Sequence, residues 1–450
     1  MSWAVLIHAL VFLAFWLTNL TFRDALNRFL AEVTGLQMNY LSVFLACAAA
    51  MALWSAARLV FRRADPRSGW HRLDRVLDVF FLLFFYGSFA ALFLKNPIQL
   101  ARLGQLLQYF RLVVDFGLLL LLAWGLRRWV KERTTTRKIL SPLILLFLWS
   151  LPLLWPPGNV YHRALPEKPR LIAHRGASTL APENTLAAMR AAAALPVYGL
   201  ETDIRITRDG VLFLMHDATL RRTTNVAEVF PGRADEPAES FAWEELSRLD
   251  AGSWFAGTTA FRGEPIPTLE EMLALVAEHD LVFIYDLRIP VAGHPYAAQA
   301  LDLCLQKIEA AGVAPRTWIL TRREEIAHIR NALPEAVLAT GVNYWHPPSP
   351  ADLKADGYQV VNSEYGLSTR AIRAYRQAGL WVNLWTVDEA WQYSRLWLAG
   401  ADSVTSNRVQ VFASMPRPLA ALAYPAYLLV WGGLGLLALG VLLIKKRVAV

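Results

Sequence analysis

Six apolar stretches, each near the length of a membrane crossing, constrain this chain more than any other feature. A bilayer core of roughly 30 Å needs about 20 apolar helical residues to span it. Residues 3–20, 37–57, 78–94, 109–126, 139–155 and 419–444 qualify or nearly do. The fourth is the weakest, because Arg111 and Asp115 fall in or beside it. Such charges are costly in lipid unless they face other helices or reach the interface. The first stretch has no basic segment ahead of it and further spans behind it, so it reads as a span and not as a cleaved leader.

Charge is partitioned along the same boundaries. The chain is net +8, yet residues 168–413 hold 23 Lys+Arg against 29 Asp+Glu, and everything else nets +14. The positive charge belongs to the apolar ends, which argues for a bilayer as partner and against nucleic acid. Short cytoplasmic loops are enriched in Lys and Arg. The loops after the second and fourth stretches are rich in arginine, and Lys445, Lys446 and Arg447 follow the sixth. The loops after the first and third are sparse in it. The expectation is a cell-membrane protein with a five-helix transmembrane region over 1–160, a globular domain over 168–413 and a C-terminal transmembrane helix over 419–444. Both termini would be cytoplasmic and the globular domain extracytoplasmic. Two cysteines, Cys47 and Cys304, exclude a disulfide scaffold and a multi-cysteine metal site.

In the globular segment, helical patterns alternate with short apolar runs: Pro169–Ala173, Val211–Met215, Leu281–Tyr285, Thr317–Leu320, Gln359–Val361 and Trp381–Trp385. That alternation indicates parallel βα units. The 246 residues of the segment are close to the roughly 250 of an α/β (β/α)8 barrel, whose chemistry sits at the C-terminal ends of its strands. Those ends are polar here. His174-Arg175-Gly176 follows the first run, and His216-Asp217 follows the second. Glu201 and Asp203 are two apart, on one side of a strand. Asp286 and Arg288 repeat that spacing. Three carboxylates make a hard oxygen donor set that suits Mg2+ or Ca2+ better than zinc. Arg175 and Arg288 beside such an ion suit a phosphate group, the alternative for Arg288 being a structural ion pair with a site carboxylate. His174 and His216 then remain free as general acid and base. Trp385 is either a pocket wall or barrel core. Asn184 or Thr185 caps the helix that follows them. Cys304, on a helical pattern, reads as a packing residue.

His174-Arg175-Gly176, Ala181-Pro-Glu-Asn-Thr185, Glu201-Thr-Asp203, His216-Asp217 with Leu220-Arg-Arg-Thr223, Pro267-Thr-Leu-Glu270 and Trp385-Thr-Val-Asp388 stand in one order along the segment. In that order and spacing they resemble the glycerophosphodiester phosphodiesterase family, and the spans around them resemble its six-transmembrane subgroup. The resemblance implies a TIM-type barrel that hydrolyses glycerophosphodiesters to sn-glycerol 3-phosphate and an alcohol. It further implies His174 and His216 as the acid/base pair, Glu201 and Asp203 on a divalent cation, and Arg175 on the phosphate. A substrate hydroxyl next to the phosphate would be the nucleophile, with a cyclic phosphate as intermediate. Three departures stand out: Asp286 and Arg288 where the family usually has Glu and Lys, Asn407 where many members have Asp, and Asp388 where Asn is usual. The competing expectations are a phosphodiesterase for lysophospholipids or lipid-anchored head groups, and a non-catalytic membrane receptor.

Overall fold

The computed structural model of the protein describes residues 40–61, 98–130, 135–288 and 290–443, with scattered positions before residue 40 and between 76 and 83. The expected spans 3–20 and 78–94 are described only in part, and most side chains of the expected basic loops lie outside the described residues. The chain forms two compact units, Met1–Arg163 with Leu422–Val450, and Ala164–Ala421.

The first unit is helical. Among the described residues, one helix, Tyr424–Leu443, is by itself long and apolar enough to cross a membrane. Arg111–Arg127 is preceded by the helical segment Ala101–Tyr109, and the two are bent by 72°. Residues 98–109 are therefore helical where the sequence reading placed a loop. Tyr40–Ala56 and Ile139–Leu154 are shorter apolar helices. The charges that weakened the fourth stretch neutralise each other: Arg111 Nε donates to Asp115 Oδ2 at 2.8 Å, one helical turn on. The helices Thr135–Leu154 and Tyr424–Leu443 are joined by a reciprocal pair of bonds. Trp149 Nε1 donates to the Trp431 carbonyl at 3.0 Å, and Trp431 Nε1 to the Trp149 carbonyl at 2.9 Å. A Cβ at Gly435 would collide with the Trp149 indole, so glycine lets these helices approach closely.

In the second unit eight parallel strands close into a barrel. They are β1 (Arg170–His174), β2 (Gly199–Ile206), β3 (Val282–Leu287), β4 (Thr317–Leu320), β5 (Val337–Thr340), β6 (Val360–Glu364), β7 (Trp381–Trp385) and β8 (Ser403–Ser406). Each pairs with its sequence neighbour, and β8 pairs with β1. A helix follows every strand: α1 (Leu186–Ala193), α2 (Leu269–His279), α3 (Ala300–Ala310), α4 (Ile326–Ala332), α5 (Pro350–Ala355), α6 (Thr369–Gln377), α7 (Ala390–Ala399) and α8 (Val409–Ala413).

One expected parallel strand is not part of the barrel. Val211–Met215 forms the short strand Leu212–Leu214, antiparallel to β2. Only a tight turn separates it from Ile206, with Gly210 at φ +91°, and a parallel crossover needs a dozen residues or more. The following excursion, residues 216–268, packs Leu220, Val226, Phe241, Leu246 and Ile266 into one cluster with Phe213 of the hairpin strand.

Side chains two apart fill the barrel in layers. At its N-terminal end the Arg170 guanidinium lies 4.5 Å from the ring centre of Tyr198 and 5.2 Å from that of Trp381. Tyr198 and Trp381 stack on one another, and Trp318 packs edge-on to both. Above them lies an apolar layer that includes Ile172, Ile284, Ala339 and Val360. A polar layer follows, in which Asn383 Nδ2 donates to Asn362 Oδ1 at 2.7 Å and to Thr405 Oγ1 at 2.9 Å.

Candidate active site

Strand register brings the first site residues together. His174 on β1 is paired with Glu201 on β2, and Asp203 on β2 with Asp286 on β3. One ligand oxygen from each of Glu201, Asp203 and Asp286 falls within 4.8 Å of the others. His174 Nε2 is 3.8 Å from Glu201 Oε2. His216 arrives from outside the barrel strands. The Met215 N–H donates to the Asp203 carbonyl at 3.0 Å, and Arg205 Nη2 to the His216 carbonyl at 2.9 Å.

The turn after β1 is shaped for this purpose. Arg175 has φ 55° and Gly176 φ 79°, and a Cβ on Gly176 would come within 2.6 Å of the Ala188 carbonyl carbon in α1. Only glycine fits there. The turn aims the Arg175 N–H at Glu201 Oε2, 3.1 Å away, and sets Arg175 Nε 3.1 Å from Asp203 Oδ2.

Ionic contacts tie His216 to Arg175 in one network. His216 Nδ1 lies 2.7 Å from Asp217 Oδ1. Arg222 Nη2 reaches Asp217 at 2.9 Å and Glu183 at 2.7 Å. Arg175 Nη1 donates to the same Glu183 oxygen at 2.8 Å. Arg288 Nε donates to Asp203 Oδ1 at 3.0 Å, and its Nη2 lies 3.2 Å from Asp286 Oδ2. In this structure both guanidiniums expected on phosphate therefore rest on carboxylates.

Burial and neighbouring charges move the acids in opposite directions. It raises Glu201 well above the usual carboxylate range, and the nearby Asp203 charge adds to this. Burial also raises Asp286, against the pull of Arg288. Asp203 is fully buried, but the charges of Arg175 and Arg288 outweigh that burial and hold it below the usual range. Burial and the adjacent Arg175 lower His174 to about 4.

The donor set fits a divalent cation by its own chemistry. Three carboxylate oxygens converge, and burial with the Asp203 charge raises the Glu201 carboxyl, so the cluster calls for added positive charge. A hard dication supplies that charge and takes oxygen ligands.

The sequence profile of the glycerophosphoryl diester phosphodiesterase family matches residues 174–411, just over half of the chain. The chain belongs to this family. It is 36% identical over 308 residues to the glycerophosphoinositol inositolphosphodiesterase of Mus musculus, which covers 64% of this chain and 55% of that protein. It is 36% identical over 292 residues to the glycerophosphodiester phosphodiesterase domain-containing protein 5 of Homo sapiens, covering 61% and 47%. The chain spans about half the length of these curated relatives. An Oleispira antarctica phosphodiesterase solved in complex with the product sn-glycerol-3-phosphate is 23% identical, covers 55% of this chain and 96% of its own, and superposes with a TM-score of 0.48.

Several residues of this family member escaped the sequence reading. Asn184 does not cap α1. Thr185 does, accepting from the Ala188 N–H at 3.2 Å. Asn184 has φ 55° and sends its amide N–H to Asp203 Oδ2 at 3.1 Å, while its oxygen accepts from Thr202 Oγ1 at 2.7 Å. Arg222 was legible only as part of a motif. Glu364, inward-facing at the end of β6 and paired in register with Trp385, carried no signal at all. Burial raises its carboxyl. Trp385 lines a cavity of about 410 Å3 with Leu320 and Asn362, running outward past the end of β4 to Leu301 and Ile329. The two departures at Asp388 and Asn407 face each other, with Asn407 Nδ2 donating to Asp388 Oδ2 at 2.7 Å.

Proposed function

We propose that this chain is a membrane-anchored, divalent-cation-dependent phosphodiesterase that hydrolyses glycerophosphodiesters to sn-glycerol 3-phosphate and an alcohol. The observation that carries the reading is the convergence of Glu201, Asp203 and Asp286 within 4.8 Å at the barrel mouth that also holds His174, His216, Arg175 and Arg288, in a chain of this family. A Mg2+ or Ca2+ ion on the three acids would supply positive charge to a phosphate oxygen. The acids themselves would release Arg288 and Arg175 toward the phosphate once their charge is taken up. The guanidiniums suit that task, since they present paired donors to a tetrahedral oxyanion.

Proton transfer falls to the histidines. The glycerol hydroxyl next to the phosphate attacks phosphorus and loses its proton to one imidazole, while the other protonates the departing alcohol oxygen. Water then opens the cyclic phosphate with the two roles reversed. General acid–base catalysis of this kind contributes about 10²–10⁴-fold. His216 is oriented by Asp217, which Arg222 fixes in turn. No nucleophilic side chain is required. Burial raises the Cys304 thiol far from its reactive range.

The apolar helix Tyr424–Leu443 supports the anchoring, and the apolar stretches and loop charges of the sequence favour five spans before the barrel and one after it, both termini cytoplasmic and the barrel outside. The apolar side of the cavity beyond Trp385 favours a second substrate class, in which an acyl chain on a lysophospholipid occupies that space. The test is release of the phosphomonoester by the detergent-solubilised full chain, glycerol 3-phosphate from the glycerophosphodiesters and lysophosphatidic acid from lysophosphatidylcholine. Glycerophosphocholine, glycerophosphoethanolamine, glycerophosphoinositol and lysophosphatidylcholine are compared, with and without chelator. Release that needs the metal and is lost in both His174→Ala and His216→Ala supports the reading. Release unaffected by chelator or by either substitution refutes it.

A further inference from the structure

We propose that Asp388 is a positioning residue for His174, acting through the side-chain amide of Asn407. Given the phosphodiesterase reading on which this rests, it fixes which imidazole nitrogen meets the substrate.

The argument begins with hydrogen-bond inventory. An ionised carboxylate can only accept, whereas an asparagine amide carries one accepting end and one donating end. Asp388 sits on the loop after β7 and gathers donors from the end of β8. Asn407 N–H reaches Asp388 Oδ1 at 2.9 Å, Ser406 Oγ reaches the same oxygen at 3.1 Å, and Asn407 Nδ2 reaches Asp388 Oδ2 at 2.7 Å. Facing a group that only accepts, the Asn407 amide has one satisfied orientation, with its NH2 toward Asp388. Its oxygen must then point the other way, and it lies 2.7 Å from His174 Nδ1 and 2.8 Å from Ser178 Oγ. The backbone is held as well: Thr179 Oγ1 donates to the Asn407 carbonyl at 2.8 Å, and Arg408 Nη1 to the Asp388 carbonyl at 3.1 Å.

An accepting oxygen at Nδ1 selects the imidazole tautomer that carries its proton there. Nε2 is then the exchangeable nitrogen, and it is Nε2 that points into the site, 3.8 Å from Glu201 Oε2. His216 has its Nδ1 occupied in the same way, by the Asp217 carboxylate. The two histidines thus have Nδ1 held by different means, one by an acid directly and one by an acid through an interposed amide. Such supporting contacts are typically worth about 10–100-fold in activity, and a wrong tautomer in a comparable setting costs more.

The complementarity can be exchanged, which supplies the experiment. In the full chain in detergent, Asp388→Asn removes the group that orients the amide, and Asn407→Asp sets two carboxylates against each other. Each single substitution is expected to lower kcat about 10- to 100-fold with KM changed less than about twofold. The exchanged double variant again has one acceptor-only group facing one amide, now with the carboxylate on His174. It is expected to recover to within about fivefold of the parent. ¹⁵N-histidine NMR, with His174 assigned by comparison with His174→Gln, should report the Nδ1–H tautomer in the parent and a mixture in Asp388→Asn. The inference is overturned if the double variant is no better than the two losses multiplied, if the single variants keep parental kcat, or if the parent holds His174 as the Nε2–H form. The tautomer measurement needs no variant at 388 or 407, so it decides even where a substitution prevents folding. A parent inactive on every glycerophosphodiester would sink the phosphodiesterase reading and leave the tautomer measurement standing.

Discussion

Replacing Glu201 by Gln should make the metal-free barrel more stable while abolishing its response to a divalent ion. Glu201 is 8% exposed and has Asp203 and Asp286 within 4.8 Å. At an effective dielectric of about 20, two like charges at that distance repel by about 3 kcal/mol. Arg175 and Arg288 offset part of this, leaving about 1–3 kcal/mol in favour of the neutral amide. Gln still accepts the Arg175 N–H that Glu201 accepts at 3.1 Å, so no bond is lost. For a unit of this size 1 kcal/mol moves the midpoint by about 2–4 °C, and the barrel's thermal transition in chelator should rise by roughly 2–12 °C. The sign of the pH dependence follows from burial. Glu201 titrates higher in the folded protein than in the unfolded chain, so the parent loses stability as pH rises from the usual carboxylate range through that raised value. The advantage of Glu201→Gln should therefore be small near the usual range and grow with pH. With Mg2+ or Ca2+ at 100 times its dissociation constant, the parent should gain about 2.7 kcal/mol and the variant little. Scanning calorimetry of both proteins with and without ion reads all of this. A variant less stable than the parent in chelator at pH 8, or an equal gain from the ion in both, would refute the reasoning.

Asp203 should behave oppositely, because Arg175 and Arg288 hold it low. Its contribution is present above the usual carboxylate range and lost as pH falls through the lowered value, so Asp203→Asn is expected to cost about 2–4 kcal/mol at pH 7, read by the same calorimetry. Gly176→Ala combines a left-handed φ with a clash against the Ala188 carbonyl, and a loss of at least about 2 kcal/mol should appear in denaturant unfolding. Cys47 is exposed on the helix Tyr40–Phe61 and Cys304 is buried. If that helix lies in the bilayer, a charged maleimide should label neither thiol in native membranes and both after denaturation in SDS. Rapid labelling of Cys47 in membranes would count against the span.

Much of the barrel was legible because its signals are local. His174, Glu201, Asp203 and Asp286 could be placed from strand-end polarity and i, i+2 spacing, and the register of β1, β2 and β3 brings them into one cluster. The hairpin strand Leu212–Leu214 misled, since an apolar run looks the same in either direction, and only the brevity of the turn before it separates hairpin from crossover. The contacts of Asn184, Asn407 and Asp388, residues the sequence singled out, were not legible for a different reason. A single amide or acid in a loop has no periodicity, and its meaning depends on which distant residue folding brings to it. Asn407 lies 233 positions from His174. The expectation for Arg288 failed to choose between phosphate and carboxylate because either anion satisfies a guanidinium. The structure contains the carboxylates and places Arg288 upon them.

The aromatic floor of the barrel has a kinetic consequence. Tyr198, Trp318 and Trp381 pack together around the Arg170 guanidinium, in a cluster with apolar residues that include Ile172, Ile284, Ala339 and Val360. Barrels of this kind have a packed core and not a pore, so whatever enters at the mouth is expected to leave by it. Under the phosphodiesterase reading, the alcohol and the phosphomonoester share one doorway with incoming substrate. The phosphomonoester, which keeps the charge that binds most tightly, would then be the last to depart, and added glycerol 3-phosphate would compete with substrate for the empty enzyme.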